Sequence, residues 1–155
     1  MLRFELTSVL DAPVDAVFDF HEQPDALERL SPPWPPIQVL RREGGIREGG
    51  RVVLVMGWGP LRLRWEALHT RYVKHHLFVD VQESGPFRSW VHRHQFENLG
   101  ETTRLTDRIE FSLPGGAPID FVCGWAVLRQ LRRMFRWRHE QTAQWTTRLL
   151  RPQCR

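Results

Sequence analysis

Residues 78–96 read FVDVQESGPFRSWVHRHQF, and the side on which their polar residues fall decides the fold. Phe78, Asp80 and Gln82 occupy alternate positions before the turn signal SGPF, and Trp90, His92, His94 and Phe96 do so after it. Successive side chains of a strand point to opposite faces, so each set shares one face. Ser89, Arg93 and Gln95 stand on the other side. The next run, TTRLTDRIEFSL (102–113), has Leu105, Asp107, Ile109 and Phe111 on one parity and Arg104, Thr106, Arg108 and Glu110 on the other. A one-sided antiparallel sheet turns its charged parity to water. The face that mixes histidines and aspartates with aromatics is therefore the inner one.

Turn lengths set the expected register. Pairing Gln82 with Trp90 needs a slightly longer or bulged first turn and places Asp80 opposite His92. Taking Asn98 and Glu101 as the closing pair of the second turn places His92 opposite Asp107. The expectation is a row Asp80–His92–Asp107 across three strands, with His94 one step along near Phe78 and Leu105. Such neighbours have Cβ atoms roughly 4.5–5.5 Å apart.

Working outward, LRFELTSVL (2–10) alternates as a strand. In DAPVDAVFDFHEQ, Pro13 suits a first helical turn, and Val14, Val17, Phe18 and His21 recur at helical spacing. PDALERL adds one or two turns. SPPWPP (31–36) is a stiff extended loop, because proline fixes φ and lacks an N–H, and it holds Trp34 out. IQVLRRE, RVVLVMGWG, LRLRWEALHTRYV and HLFVDVQE read as strands, with Leu61, Leu63, Trp65 and Ala67 inward on the third. From Pro118 to Leu150 glycine occurs at position 124 alone. There Phe121, Trp125, Leu128, Leu131, Phe135, Thr142, Trp145 and Leu149 follow the 3–4 spacing of one long amphipathic helix.

The expected architecture is α+β: a curved antiparallel sheet of about seven strands around a long C-terminal helix, with two short helices after the first strand. The long helix is the element able to cover the sheet's apolar face. Three helices do not fill the concave side of a strongly curved sheet, so a cavity between helix and sheet is expected. No repeat or linker interrupts residues 1–155, which reads as one domain.

Composition narrows the classes. Hydrophobic content of 41% with seven tryptophans is that of a folded chain with aromatic surface beyond what a small core needs. Cys123 and Cys154 form neither a disulfide framework nor zinc spacing. Arg3, Glu5 and Asp11 interrupt the first apolar residues, no run is long enough for a membrane span, and the cytoplasm is the expected location. Net charge is +4 with a pI near 10.0, and Arg129, Arg132, Arg133, Arg136 and Arg138 form a dense cluster. A solvated helix face accounts for that cluster, and nucleic acid is not an expected partner.

Specific residues carry a resemblance: Pro13, Val17 and Phe18; Leu30, Pro32, Pro33 and Trp34; Trp65; the block Phe78–Asp80–Gln82–Gly85–Pro86–Phe87–Trp90–His92–His94–Phe96; then Thr103 and Asp107. The chain resembles the START-like superfamily, also called SRPBCC, and within it a bacterial branch of cyclase/dehydrase-like proteins. The superfamily includes polyketide cyclases, relatives of the birch-pollen allergen and lipid-transfer domains. The resemblance implies a helix-grip fold and a ligand cavity under the long helix. It implies no particular reaction.

The inward polar row is open to four readings. It can brace the strands as a satisfied hydrogen-bond network, since a carboxylate beside an imidazole compensates burial. It can form the polar end of a ligand cavity. It can perform general acid–base catalysis, with His92 or His94 oriented by Asp80 or Asp107. It can hold a metal through His92-x-His94 and a carboxylate, although a catalytic metal wants a third ligand and an open position. The expected function is binding of a small, largely hydrophobic molecule, with no cofactor and no metal. Trp34, Trp65, Phe78, Trp90, Phe96, Phe111, Leu131 and Phe135 are its expected apolar contacts, and Asp80, Gln82, His92, His94 and Asp107 its polar ones. The alternatives are a cyclase- or dehydratase-type enzyme using the same His/Asp row, and an interaction module docking through the basic helix face or the loop GGIREGG. On the long helix, Arg138, His139 and Gln141 are each expected on the outer face. Trp58, Trp65 and Met56 are expected in the core, and His75 and His76 near solvent.

Overall fold

The alternating segments become seven antiparallel strands. In the computed structural model they are β1 (Leu2–Leu10), β2 (Ile37–Glu43), β3 (Arg51–Trp58), β4 (Leu61–Val73), β5 (Leu77–Ser84), β6 (Ser89–Asn98) and β7 (Thr103–Ser112). Helices α1 (Val14–Glu22) and α2 (Ala26–Arg29) follow β1, and α3 (Ala117–Leu150) follows β7. Residues 1–150 are described; the side chains of Trp58, Leu61, Leu149 and Leu150 and residues 151–155, Cys154 included, lie outside the described set. The strand order is β1-β7-β6-β5-β4-β3-β2, so β2 to β7 form a meander and β1 closes against β7.

The inner parity is the expected one. On β7, Thr103, Leu105, Asp107, Ile109 and Phe111 are buried and the residues between them are not. Asp80 pairs with His92 and Phe78 with His94, as the first hairpin predicts. The second hairpin differs by two residues. Asn98 faces Thr103, so His94 stands opposite Asp107, His92 opposite Ile109, and Leu105 opposite Phe96. The cause is a longer turn: the Asn98 side chain accepts from the Gly100 N–H at 2.8 Å, and Gly100 takes φ +90°, a conformation glycine adopts freely. A shift of two keeps every side chain on its own face.

Helix α3 lies across the concave face, and the expected stripe holds at Leu131, Phe135 and Thr142 but not at the start of the helix. Its buried positions run Asp120, Gly124, Leu131, Phe135, His139, Thr142 and Thr146. Gly124 sits where α3 meets β1: a Cβ there would come within 2.6 Å of Leu2. Phe121 and Trp125, one position off this stripe, are 89% and 65% exposed. The apolar spacing at the start of the helix therefore does not mark the packed face. The expected outward placement of His139 and Arg138 is likewise overturned: His139 is 4% exposed, and Arg138 is half-buried beside Leu30 and Phe135. Among the described residues, no helix is long and apolar enough to cross a membrane.

Candidate functional site

A cavity of about 320 Å³ lies between the concave sheet and α3. Its apolar wall comes from Leu54, Met56, Trp65, Ala67, Phe87 and Trp90 on the sheet side, and from Leu131, Met134 and Phe135 on α3. Trp65 and Trp90 meet edge to face at 4.9 Å, a favoured aromatic geometry that stiffens this wall. Leu27 and Leu30 close one side, and the solvent-exposed lining residues Pro24, Gly45 and Gln130 mark where the cavity meets water.

One end of the cavity is charged. His92 Nε2 donates to Asp107 Oδ1 at 2.7 Å, and His92 Nδ1 lies 3.4 Å from Asp80 Oδ1. His94 repeats the arrangement, with Nδ1 2.7 Å from Asp107 Oδ1 and Nε2 3.3 Å from Asp80 Oδ1. The two rings lie 3.7 Å apart, and His94 stacks on Phe78 at 4.0 Å. From α3, His139 Nε2 donates to the other oxygen of Asp107 at 2.7 Å, while its Nδ1 is 2.7 Å from the Ser8 hydroxyl of β1. Three imidazoles from two elements therefore surround one buried carboxylate. Arg138 lines the cavity nearby and donates to the Leu30 carbonyl at 3.0 Å.

The electrostatics follow from these contacts. Burial pulls His92 down, but the Asp80 charge and hydrogen bonds to Asp107 and Asp80 outweigh it and hold the imidazolium up at about 9. Burial pushes Asp80 and Asp107 up. Beside Asp80 the His92 charge, and beside Asp107 the His94 charge, with hydrogen bonds from the surrounding imidazoles, keep both well below the carboxylate range. Burial lowers Arg138 below the ordinary guanidinium value, with Asp107 and Asp80 opposing. Two further histidines behave oppositely. Burial lowers His21 to about 4, against a hydrogen bond to the Val17 carbonyl, and lowers His69 despite nearby Asp80.

Of the residues expected at the site, Trp65, Phe78, Asp80, Trp90, His92, His94, Leu131 and Phe135 line the cavity. Five stand elsewhere. Trp34 packs under the Arg133 guanidinium at 3.8 Å, and Pro35 takes the place on the wall. Gln82 clasps its own turn, donating to Phe87 O at 2.7 Å and accepting from Phe87 N at 3.3 Å. Phe96 packs against Phe18 at 5.0 Å and His21 at 5.2 Å, and Phe111 is enclosed by Phe87 and Trp90. Asp107 sits behind the two histidines, 3% exposed. His21, His69 and Arg138 line the cavity without having been expected there, and His139 joins the cluster from α3. The signals were present: His69 shares the parity of Trp65 and Ala67, and His139 follows Phe135 by four residues.

Known proteins bear on this arrangement. Residues 10–140 match the family model described as polyketide cyclase / dehydrase and lipid transport. No curated protein matches the chain. Among solved structures, a Streptomyces aromatase/cyclase, Zhui, superposes with a TM-score of 0.75 at 14% identity, covering 97% of this chain and 96% of its own. A Thalictrum norcoclaurine synthase, a point mutant in complex with a transition state analogue, gives 0.74 at 8% identity, covering 95% and 94%. A Thermus thermophilus protein gives 0.72 at 17% identity, covering 97% and 100%. At these identities the structural likeness establishes the helix-grip fold.

Proposed function

The chain belongs to the polyketide cyclase / dehydrase and lipid transport family, and we propose that it binds a small, largely hydrophobic molecule of lipid, polyketide or aromatic type between the sheet and α3. One observation carries this reading: an apolar cavity of about 320 Å³ that ends in a buried ionised cluster. Ligand sites are typically apolar hollows with a few fixed polar groups, at roughly 300–1,000 Å³. Trp65, Trp90, Leu131 and Phe135 supply the apolar contact. Asp80, His92, His94 and Arg138 supply donors and acceptors for one carbonyl, hydroxyl or carboxylate on the ligand. Native mass spectrometry of the purified protein, followed by extraction, tests it. A bound apolar molecule, or saturable quenching of Trp65 and Trp90 by a panel of apolar acids and ketones, is expected. Absence of both sinks the reading.

A second reading draws on the backing of His92 and His94 by Asp107. An imidazole with a carboxylate on one nitrogen is an arrangement for general acid–base work. In that case the ligand is a substrate and the chemistry a cyclisation or dehydration. A His94→Gln protein that binds the extracted molecule unchanged yet no longer converts it supports this reading. Wild-type protein that never converts it leaves binding alone.

A further inference from the structure

Asp80 and Asp107 both face His92 and His94, but at different spacings. Asp107 Oδ1 is 2.7 Å from His92 Nε2 and 2.7 Å from His94 Nδ1, the separation of a charge-assisted hydrogen bond. Asp80 Oδ1 is 3.4 Å from His92 Nδ1 and 3.3 Å from His94 Nε2. These are long for charge-assisted hydrogen bonds, and the spacing also matches another geometry. Two donor atoms held at 2.0–2.1 Å by one tetrahedral ion are about 3.3–3.4 Å apart. One ligand atom from each of Asp80, His92 and His94 falls within 4.8 Å of the other two.

From this difference we infer that Asp80, His92 and His94 form a binding site for a divalent ion of the zinc class, with Asp107 orienting both imidazoles from behind. Histidines that ligate a metal commonly give their second ring nitrogen to a carboxylate, which fixes tautomer and orientation. Asp107 does this for His92 and His94 together, and is itself held by His139, which is held by Ser8. The three ligand residues line the cavity and Asp107 does not, so the coordination position left over faces the ligand space. That is the layout of an open site, with protein ligands on one side and a place for water or a ligand oxygen on the other. A doubly charged ion would take over from the His92 imidazolium the balancing of the two buried carboxylates. The histidine pair at i, i+2 thereby gains the third ligand and the open position that a catalytic-type site requires.

The ion would be the partner for the oxygen of the hydrophobic molecule, and in that respect this inference rests on the cavity reading; the ion's own binding does not. The test is a titration of chelator-stripped, full-length protein with Co²⁺, followed by displacement with Zn²⁺. One equivalent of cobalt with the intense visible absorption of low-coordinate Co²⁺ is expected. Asp80→Asn abolishes that spectrum, and Asp107→Asn weakens binding about 10–100-fold while circular dichroism shows a folded chain. His76→Ala, at an exposed histidine, leaves it unchanged. Folded wild type that gives no cobalt spectrum at saturating metal overturns the inference, as does a spectrum unaffected by Asp80→Asn. Protein that takes up an apolar molecule but no cobalt overturns the metal site alone. Protein that takes up cobalt but no apolar molecule overturns the cavity reading alone.

Discussion

His21 and His92 are buried imidazoles, 8% and 4% exposed, that the fold holds in opposite charge states. His21, on α1, packs against Phe20, Phe78 and Phe96 and donates Nδ1–H to the Val17 carbonyl at 2.8 Å. Burial lowers it to about 4, so it is neutral at pH 7. His92 packs edge-on against Phe135 and touches two carboxylates, and it is held up at about 9. Burial acts downward on both. A carboxylate within hydrogen-bond reach decides which one carries charge. The His94 ring lies between the two environments, 6.4 Å from His21 and 3.7 Å from His92, and marks where the ionised end of the cavity begins.

The most severe way to break this contrast is to delete the charge that creates it. Asp107→Ala leaves His92, His94 and His139 facing a gap where the carboxylate was. Removing one partner of a buried ion pair costs about 3–5 kcal/mol. Urea unfolding at pH 7 should show a loss of that size, and a loss below about 1 kcal/mol would mean that Asp107 does not organise the cluster.

A gentler probe is pH, because the two histidines move stability in opposite directions. The folded value of His92 is raised from 6.5 to about 9, so its contribution is complete below about pH 6.5 and is lost as pH rises through 9. That loss is about 2–3 kcal/mol between pH 6.5 and 9. Asp80 and Asp107 are lowered, so their contribution is present above about pH 4 and is lost on further acidification. His21 is lowered from 6.5 to about 4, so its contribution is complete above pH 6.5 and is lost as pH falls through 4. Stability should therefore peak near pH 6.5. His92→Gln should flatten the alkaline limb of the profile and leave the acid limb in place. An unchanged alkaline limb in that variant would refute the imidazolium assignment.

How much of this contrast the sequence displays depends on what each part of it requires. Period-two alternation places Asp80, His92, His94 and Asp107 on the inner face, because one buried face forces parity. The first hairpin also carries its register, and Asp80 does stand opposite His92. The second does not, since the Asn98 side chain and the left-handed Gly100 lengthen the turn in a way residue counting misses. Diagonal reach repairs the chemistry: His92 still meets Asp107 at 2.7 Å although it pairs with Ile109. The contribution of α3 is hidden for a different reason. Leu131, Phe135 and Thr142 follow the expected spacing and are buried, but the rest of the buried stripe is filled at Asp120, Gly124, His139 and Thr146 by residues that hydrophobicity does not flag, while Phe121 and Trp125 imitate a stripe and face water. Asp120 and His139 are recognisable only with their partners, the Leu113 N–H at 2.7 Å and Asp107. The charge states of His21 and His92 are likewise invisible in a linear reading, because each is set by a neighbour distant in the chain.

The smallest expected effect isolates His21. Leucine at position 21 keeps an apolar side chain against Phe78 and Phe96, and the Val17 carbonyl retains the backbone amide four residues on as a helical donor. His21→Leu should therefore lie within about 1 kcal/mol of wild type at pH 7, the net worth of one hydrogen bond. At pH 5 the balance changes. The unfolded wild-type chain gains a proton on His21 that the folded chain refuses, which costs the wild type about 2 kcal/mol that the leucine variant does not lose. Paired urea curves at pH 7 and pH 5 read this directly as a relative gain for the variant on acidification. An equal difference at both pH values would mean that His21 titrates in place, and the neutral side of the contrast would fall while the His92 side stood.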